Sequence, residues 1–313
     1  MPLTNNRSSD RTGLTLVLGA TGKSGSRVVE RLTRRGVPVR AVSRSSEPSF
    51  DWNDQTSWDA ALDGVTAVYL TYAPDLAIPG ATRAIRRFVE RAVAHGVGRL
   101  VLLSGRGERE AQLCERIVEN AGIAWTIVRA SWFDQNFSEG EFLDMVLAGQ
   151  VTLPAGDVGE PFVDVDDIAD VAVAALTQDG HAGQIYEVTG PQLLTFAQAV
   201  AAIAAVTGRD IRYQQIPAEA FAAGISAAGA PEDIAWLLDY LFTTVLDGRN
   251  AQLGDGVQRA LGREPVGFSE YARQAAATGI WNEPSTGGAC LPAAEDDAHS
   301  GRSENPVKNA DHE

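Results

Sequence analysis

Basic residues are scarce in this chain: 26 lysines and arginines face 41 acids, for a formal charge of −15 and a pI of about 4.7. Such a surface has no overall positive field to hold a polyphosphate backbone or an anionic membrane, which argues against nucleic-acid and membrane partners. Only two cysteines occur, Cys114 and Cys290, so the expected setting is a reducing cytoplasm. No apolar run approaches the roughly 18 residues of a membrane span. Residues 1–12 lack the apolar stretch of a secretion signal. The histidines at 95, 181, 299 and 312 are scattered, and neither cysteine has a partner at ligand spacing, so no metal site is expected. A G-x-S-x-G elbow for Ser-His-Asp hydrolysis is also missing. Lysine is confined to Lys23 and Lys308, a bias that a GC-rich coding sequence accounts for. What remains is a 313-residue chain, 44% hydrophobic and 21% charged, large enough for one domain with a small lobe.

The apolar runs Leu14–Leu18, Val37–Val42, a short one near Phe50, Val65–Leu70, Leu100–Leu103 and Trp125–Val128 are separated by helix-like segments. Strand and helix in alternation predict a parallel, doubly wound α/β sheet. The clearest helix carries Ile85, Phe88, Val89, Ala92 and Val93 as one stripe. Another runs from near Glu108 to Gly122, where a left-handed glycine is expected to stop it. Asp164, Asp166 and Asp167 precede Ile168–Leu176 and read as acids at a helix N-terminus. A further strand, Gln184–Val188, and an alanine-rich helix, Phe196–Val206, follow; the apolar stretch from Trp236 to Phe242 reads as the core of a small lobe. The expected organisation is a flexible N-terminus (1–12), a dinucleotide-binding domain (13–155), the remaining sheet elements with a substrate lobe (156–283), and a disordered acidic tail (284–313).

Gly19-Ala20-Thr21-Gly22-Lys23-Ser24-Gly25 spaces three glycines between the first strand and a periodic helix. Glycines there let the backbone turn tightly and approach a pyrophosphate, whose charge meets the free N–H groups and positive end of the helix. The spacing is not that of a Walker loop, so ATP hydrolysis is disfavoured. At the end of the second strand stands Ser43-Arg44-Ser45-Ser46, with no carboxylate to accept a ribose hydroxyl. A guanidinium flanked by hydroxyls suits the extra phosphate of NADP better than NAD, and Lys23 is expected to add charge nearby. The competing reading makes both bases solvated surface residues.

With the glycine loop, Ser43-Arg44-Ser45, Phe50-Asp51-Trp52, Val101-Leu102-Leu103-Ser104 and the segment from Trp132 to Phe137 in place, the chain resembles the NmrA-like atypical short-chain dehydrogenases. Within them it is most similar to the festuclavine and agroclavine dehydrogenases of ergot alkaloid biosynthesis, whose substrate need not carry over. The resemblance covers about Leu14 to Trp281, and it implies a small C-terminal substrate lobe and NADPH-dependent reduction. Ordinary short-chain dehydrogenases use a tyrosine with a lysine four residues later, expected within Gly105 to Glu115. Neither is there, and Ala111 stands where many NmrA-like reductases keep a lysine. Two readings follow: a non-catalytic, NADP(H)-sensing regulator, or a reductase whose acceptor needs no strong protein acid. An iminium is such an acceptor, because hydride turns the cation into a neutral amine with no oxyanion to protonate. Quinones come second, since water suffices to protonate their reduced oxygens.

Tyr72, Ala73 and Pro74 follow the strand Val65–Leu70 at the edge where such folds bind ligands, and are expected beside the nicotinamide ribose. Tyr72 reads mainly as a pocket wall and secondarily as a proton donor. Ser104 is a candidate to hydrogen-bond the substrate or the nicotinamide ribose, against a serine satisfying its own backbone. Trp132, Phe133 and Phe137, with Asp134 and Asn136 as polar handles, are the expected walls for a flat or cationic substrate; core packing is the alternative. The partner is then a small molecule, and the protein a monomer or a homodimer.

Overall fold

Most of the apolar runs become strands of one parallel sheet: β1 (Leu14–Val17), β2 (Val39–Ala41), β3 (Val65–Leu70), β4 (Arg99–Gly105), β5 (Ala124–Ala130) and, after a strand β6 (Gln150–Leu153) that belongs elsewhere, β7 (Gln184–Val188). The computed structural model describes residues 13–140 and 142–282; the N-terminal segment 1–12, residue 141 and the tail 284–313 lie outside them. The order is β2-β1-β3-β4-β5-β7, with Leu16 opposite Arg40 on one side of β1 and Val68 on the other. The chain therefore winds outward in both directions from β1, and the crevice above the carboxyl ends of β1 and β3 is the topological switch point.

Burial on both faces follows the period of two in the strands. Leu16, Leu18, Leu100 and Leu102 pack on one face with helices α2 (Trp58–Leu62), α3 (Ala81–Ala94) and α4 (Arg109–Glu119). Val17, Tyr69, Val101 and Val128 pack on the other with α1 (Lys23–Arg34) and, beyond a short α5 (Leu143–Leu147), α6 (Val165–Thr177). Asp164 caps α6 by accepting the N–H of Asp166 at 2.8 Å, as the sequence suggests. Arg31 ties α1 to α6 through Asp166 and Asp170, at 2.5 and 2.6 Å.

The chain beyond β7 supplies most of the lobe. It comprises α7 (Phe196–Thr207), β8 (Arg212–Gln215), α8 (Ala218–Ala227), α9 (Glu232–Tyr240), α10 (Gly256–Leu261) and α11 (Phe268–Ala277). A capping box opens α7: Thr195 Oγ1 accepts the N–H of Gln198 while Gln198 Oε1 accepts that of Thr195, and Gly208, left-handed at φ 67°, closes it. β6 pairs with β8 in a separate two-stranded sheet, so residues 150–153, placed by the sequence reading in the nucleotide domain, belong to the lobe. Phe137, Phe142, Phe162, Phe196, Phe268 and Trp281 form its core.

Three expectations are corrected. No strand forms near Phe50; among the described residues there is only an isolated bridge from Asp51 to Asp54. Phe50 is buried because it packs with Trp52, Trp58 and Phe88, at 5.1, 6.0 and 5.7 Å between ring centroids, and not because it pairs in the sheet. α4 ends at Glu119, with Asn120 as its cap; the left-handed Gly122 shapes the turn into β5 instead of stopping the helix. Val93 is 37% exposed and lies off the buried stripe of α3.

Candidate active site

The glycine loop is shaped as its spacing requires. Gly19 has φ 61°, and a Cβ there would stand 2.7 Å from the Thr71 hydroxyl. A Cβ on Gly25 would lie 2.1 Å from the Gly19 carbonyl oxygen, so α1 approaches β1 only with glycine at that place. The first turn of α1 carries no acid, and no side chain caps it. Thr21 and Gly22 are exposed at the crevice. A narrow, backbone-lined cradle at an uncapped helix N-terminus fits the pyrophosphate of a dinucleotide.

Beyond β2, Ser46 fixes the turn: its hydroxyl accepts the N–H of Ser43 at 2.8 Å and donates to the carbonyls of Ser43 and Pro48. Ser45 N–H reaches Ser43 Oγ at 3.3 Å. Arg44 projects from this turn, exposed and without a hydrogen bond or ion pair to another described residue. Lys23, expected to add charge beside it, instead donates from Nζ to Asn136 Oδ1 at 3.1 Å and lines a cavity at the other end of the crevice.

That cavity, of about 260 Å³, opens over the carboxyl ends of β3, β4 and β5. Tyr72, Pro74, Ser104, Trp132, Phe133 and Asn136 line it, whereas Ala73, Asp134 and Phe137 do not. Phe137 is fully buried in the lobe core, 5.3 Å from the Phe142 ring, and Asp134 is fully buried with neither carboxyl oxygen hydrogen-bonded. Burial, with Asp164 and Asp167 nearby, holds Asp134 well above the usual carboxylate range. A neutral acid behind the wall is not a handle for a cation, so core packing is the role of these two residues.

Ser104 lies on β4, not in a loop, and its hydroxyl donates to Glu115 Oε1 at 2.6 Å. Arg129 grips Glu115 with both ends of its guanidinium and also reaches Glu187, which in turn accepts from Arg106 at 2.8 Å. The Ser104 proton is thus committed, and its oxygen is left only to accept within the cavity that the residue lines. The Tyr72 ring lies tilted at 50° to that of Trp52, 4.8 Å between centroids, and burial raises its phenol above the ordinary value, which suits a wall better than an acid.

Four cavity features escaped the sequence reading. Asp75 lies just past Pro74, and Glu108 sits inside the very window searched for tyrosine and lysine; both line the cavity. Glu108 folds back over Gly105, where a Cβ would come within 2.0 Å of its carboxyl, and its Oε2 has no hydrogen-bond partner. Burial raises both acids, and the charge of Asp75 pushes Glu108 further, well above its usual range. The field at the start of α4, worth about 0.3–1 kcal/mol, does not offset the several kcal/mol lost in taking a charge from water. Leu237 on α9 and Leu241, at the head of a π-turn (Leu241–Val245), close the cavity from above, so the apolar stretch is pocket wall as well as lobe core. Trp132 and Phe133 were legible from their place after β5, whereas the acid pair joins positions 33 residues apart and leaves no local pattern.

Among the described residues no group of three histidines, cysteines or acids is placed to hold a metal, and no helix is long and apolar enough to cross a membrane. A family model described as NAD(P)H-binding matches residues 19–179, and one described as the NmrA-like family matches residues 110–272. The chain is 32% identical to the festuclavine dehydrogenase of Aspergillus fumigatus, across 83% of this chain and 96% of that one. It is 30% identical to an NAD(P)H azoreductase of Xenophilus azovorans, across 84% and 98%. The fold is shared with an NADPH-dependent quinone oxidoreductase of Escherichia coli complexed with NADPH, at a TM-score of 0.70 and 22% identity over 83% and 99% of the two chains. The chain belongs to the NmrA-like family of NAD(P)H-binding proteins and is an NAD(P)H-dependent oxidoreductase.

Proposed function

We propose that the protein is an NADPH-dependent reductase that delivers hydride to a small conjugated or cyclic electrophile, of iminium or quinone type, without a tyrosine–lysine donor. The observation that carries this is the cavity: aromatic and aliphatic walls open at the strand ends beside the glycine loop, while neither lysine of the chain follows a tyrosine by four positions. The acceptors that name the relatives, an azo compound, a clavine alkaloid and a quinone, are conjugated or cyclic and support the same class.

The roles follow from placement. The backbone from Gly19 to Gly25, with Thr21, Gly22 and Ser24, holds the pyrophosphate, and Ser43, Arg44 and Ser45 take the phosphate that distinguishes NADP from NAD. Tyr72, Ala73, Pro74 and the Ser104 oxygen flank the nicotinamide end. The bound dinucleotide supplies the hydride. Trp132 and Phe133 hold the acceptor flat, Asn136 and Lys23 give it a polar edge, and Leu237 and Leu241 exclude water. Positioning of this kind lowers the barrier by replacing a bimolecular encounter with a held geometry.

NADPH oxidation by the purified protein, measured with iminium, quinone and enone acceptors beside the affinity for the dinucleotide, tests the reading. Turnover with a conjugated acceptor is expected. Tight binding with no oxidation across the panel would favour the sensing regulator instead.

A further inference from the structure

The cavity holds an acid that none of these roles uses. Glu108 is 6% exposed, its Oε2 is without a partner, and its carboxyl is laid over Gly105 onto the floor of the cavity next to Asp75. Although it is the cap residue of α4, its side chain makes no capping bond, so the helix does not account for the way it points. Asp75 is held in place by the N–H of Ala77, which donates to Oδ1 at 2.7 Å. Both carboxyls line the one cavity, and the charge of Asp75 adds to burial in opposing ionisation of Glu108.

We propose that Glu108 is the catalytic acid of the cavity, with Asp75 as the residue that keeps it protonated, and that the pair extends the acceptors from cations to neutral quinones. This rests on the reductase reading and deepens it. A quinone that has taken a hydride, and with it two electrons from the reduced dinucleotide, is a hydroquinone anion. The Glu108 O–H bond breaks, a hydroquinone O–H bond forms, and the oxidised dinucleotide remains. Glu108 is then a carboxylate facing the charge of Asp75, a repulsive state that solvent reprotonates. An iminium needs no proton, so its reduction does not draw on the pair.

The groups that face Glu108 set the direction of its pH response. Asp75 after β3 and Glu110 and Glu115 on α4 all hold the proton on. Cys114 on α4 and Tyr240 on α9 are neutral neighbours, both raised to about 12 with burial as the first cause. Lys23 and Arg106 line the same cavity as the opposing charges. Quinone reduction is therefore present while Glu108 is protonated and falls as pH rises through its pKa. Removing the Asp75 charge moves that alkaline limb to lower pH.

The test compares menadione with a cyclic N-alkyl iminium in the full-length protein, in the unaltered form and as Glu108→Gln, Glu108→Asp and Asp75→Asn. The ratio of menadione to iminium turnover is expected to fall about a hundredfold in Glu108→Gln. Glu108→Asp recovers part of it, and Asp75→Asn shifts the alkaline limb downward. Infrared difference spectra on raising the pH supply a readout free of turnover: a protonated carboxyl band present in the unaltered protein is lost in Glu108→Gln. An unchanged ratio in Glu108→Gln, or a carboxyl band indifferent to that substitution, overturns the proposal while the reductase reading stands. No NADPH oxidation with either acceptor in the unaltered protein is the failure of the reductase reading and takes the proposal with it.

Discussion

The two ends of the crevice are built in opposite ways. At the nucleotide end, one loop and one turn, residues 19–25 and 43–46, present backbone and a free guanidinium to solvent, and neighbours in sequence do nearly all the work. At the acceptor end, side chains from β3, β4, β5 and the α9 segment converge, and several of them are buried ionisable groups. A backbone cradle is general and tolerates little change, whereas a cavity of side chains is adjustable residue by residue. The Lys23–Asn136 hydrogen bond ties the first turn of α1 to the aromatic segment, and the Arg27–Glu139 ion pair does the same one turn on.

That contrast is open to attack from both sides. Gly25→Ala sets a methyl against the Gly19 carbonyl, and α1 must shift; NADPH and NADH affinities are both expected to fall by about a hundredfold or more, near 3 kcal/mol, in titration calorimetry. Comparable effects on the acceptor end alone would break the division. Glu160, fully buried with both carboxyl oxygens unpartnered, has its pKa pushed up to about 7 by burial, against a partial offset from Arg106. A raised carboxyl pKa means that the folded state holds its proton more tightly. Its stability contribution is therefore full below the ordinary value of 4.5 and is lost as pH climbs to about 7. Glu160→Gln is expected to gain on the unaltered protein by up to about 3 kcal/mol over that window, read from urea midpoints at each pH. A gap that stays constant with pH would show that Glu160 does not titrate there.

Arg44→Ala is the narrower test of the nucleotide end. NADPH is expected to bind about tenfold more weakly while NADH barely changes; equal losses would refute the phosphate assignment. Trp132→Leu sharpens the other end: the KM for a conjugated acceptor is expected to rise several-fold, on the order of 1 kcal/mol, with the NADPH dissociation constant untouched. A matching loss of NADPH affinity would mean that the wall also holds the dinucleotide.

The same contrast explains what could be read beforehand. The glycine loop, the apolar runs of the strands and the acid cap at Asp164 depend on residues within a few positions of one another, and their signatures lie along the chain. Phe50 misled because an isolated aromatic looks the same whether it pairs in a sheet or drops into a cluster, and its partners Trp58 and Phe88 lie on helices further along. The Trp132–Phe137 segment was separable only by direction: a 3₁₀ turn (Asp134–Phe137) sends Asn136 to the cavity and Asp134 and Phe137 inward. Glu108 went unread since its meaning lies in Gly105 making room and Asp75 standing opposite, neither of which a residue-type search in one window detects.

The close fit of Gly105 beneath the Glu108 carboxyl also bears on where the acid can stand. A methyl at 105 would meet only the carboxyl end of the Glu108 side chain, which can swing aside, so Gly105→Ala is expected to displace the acid from the cavity floor while β4 keeps its course.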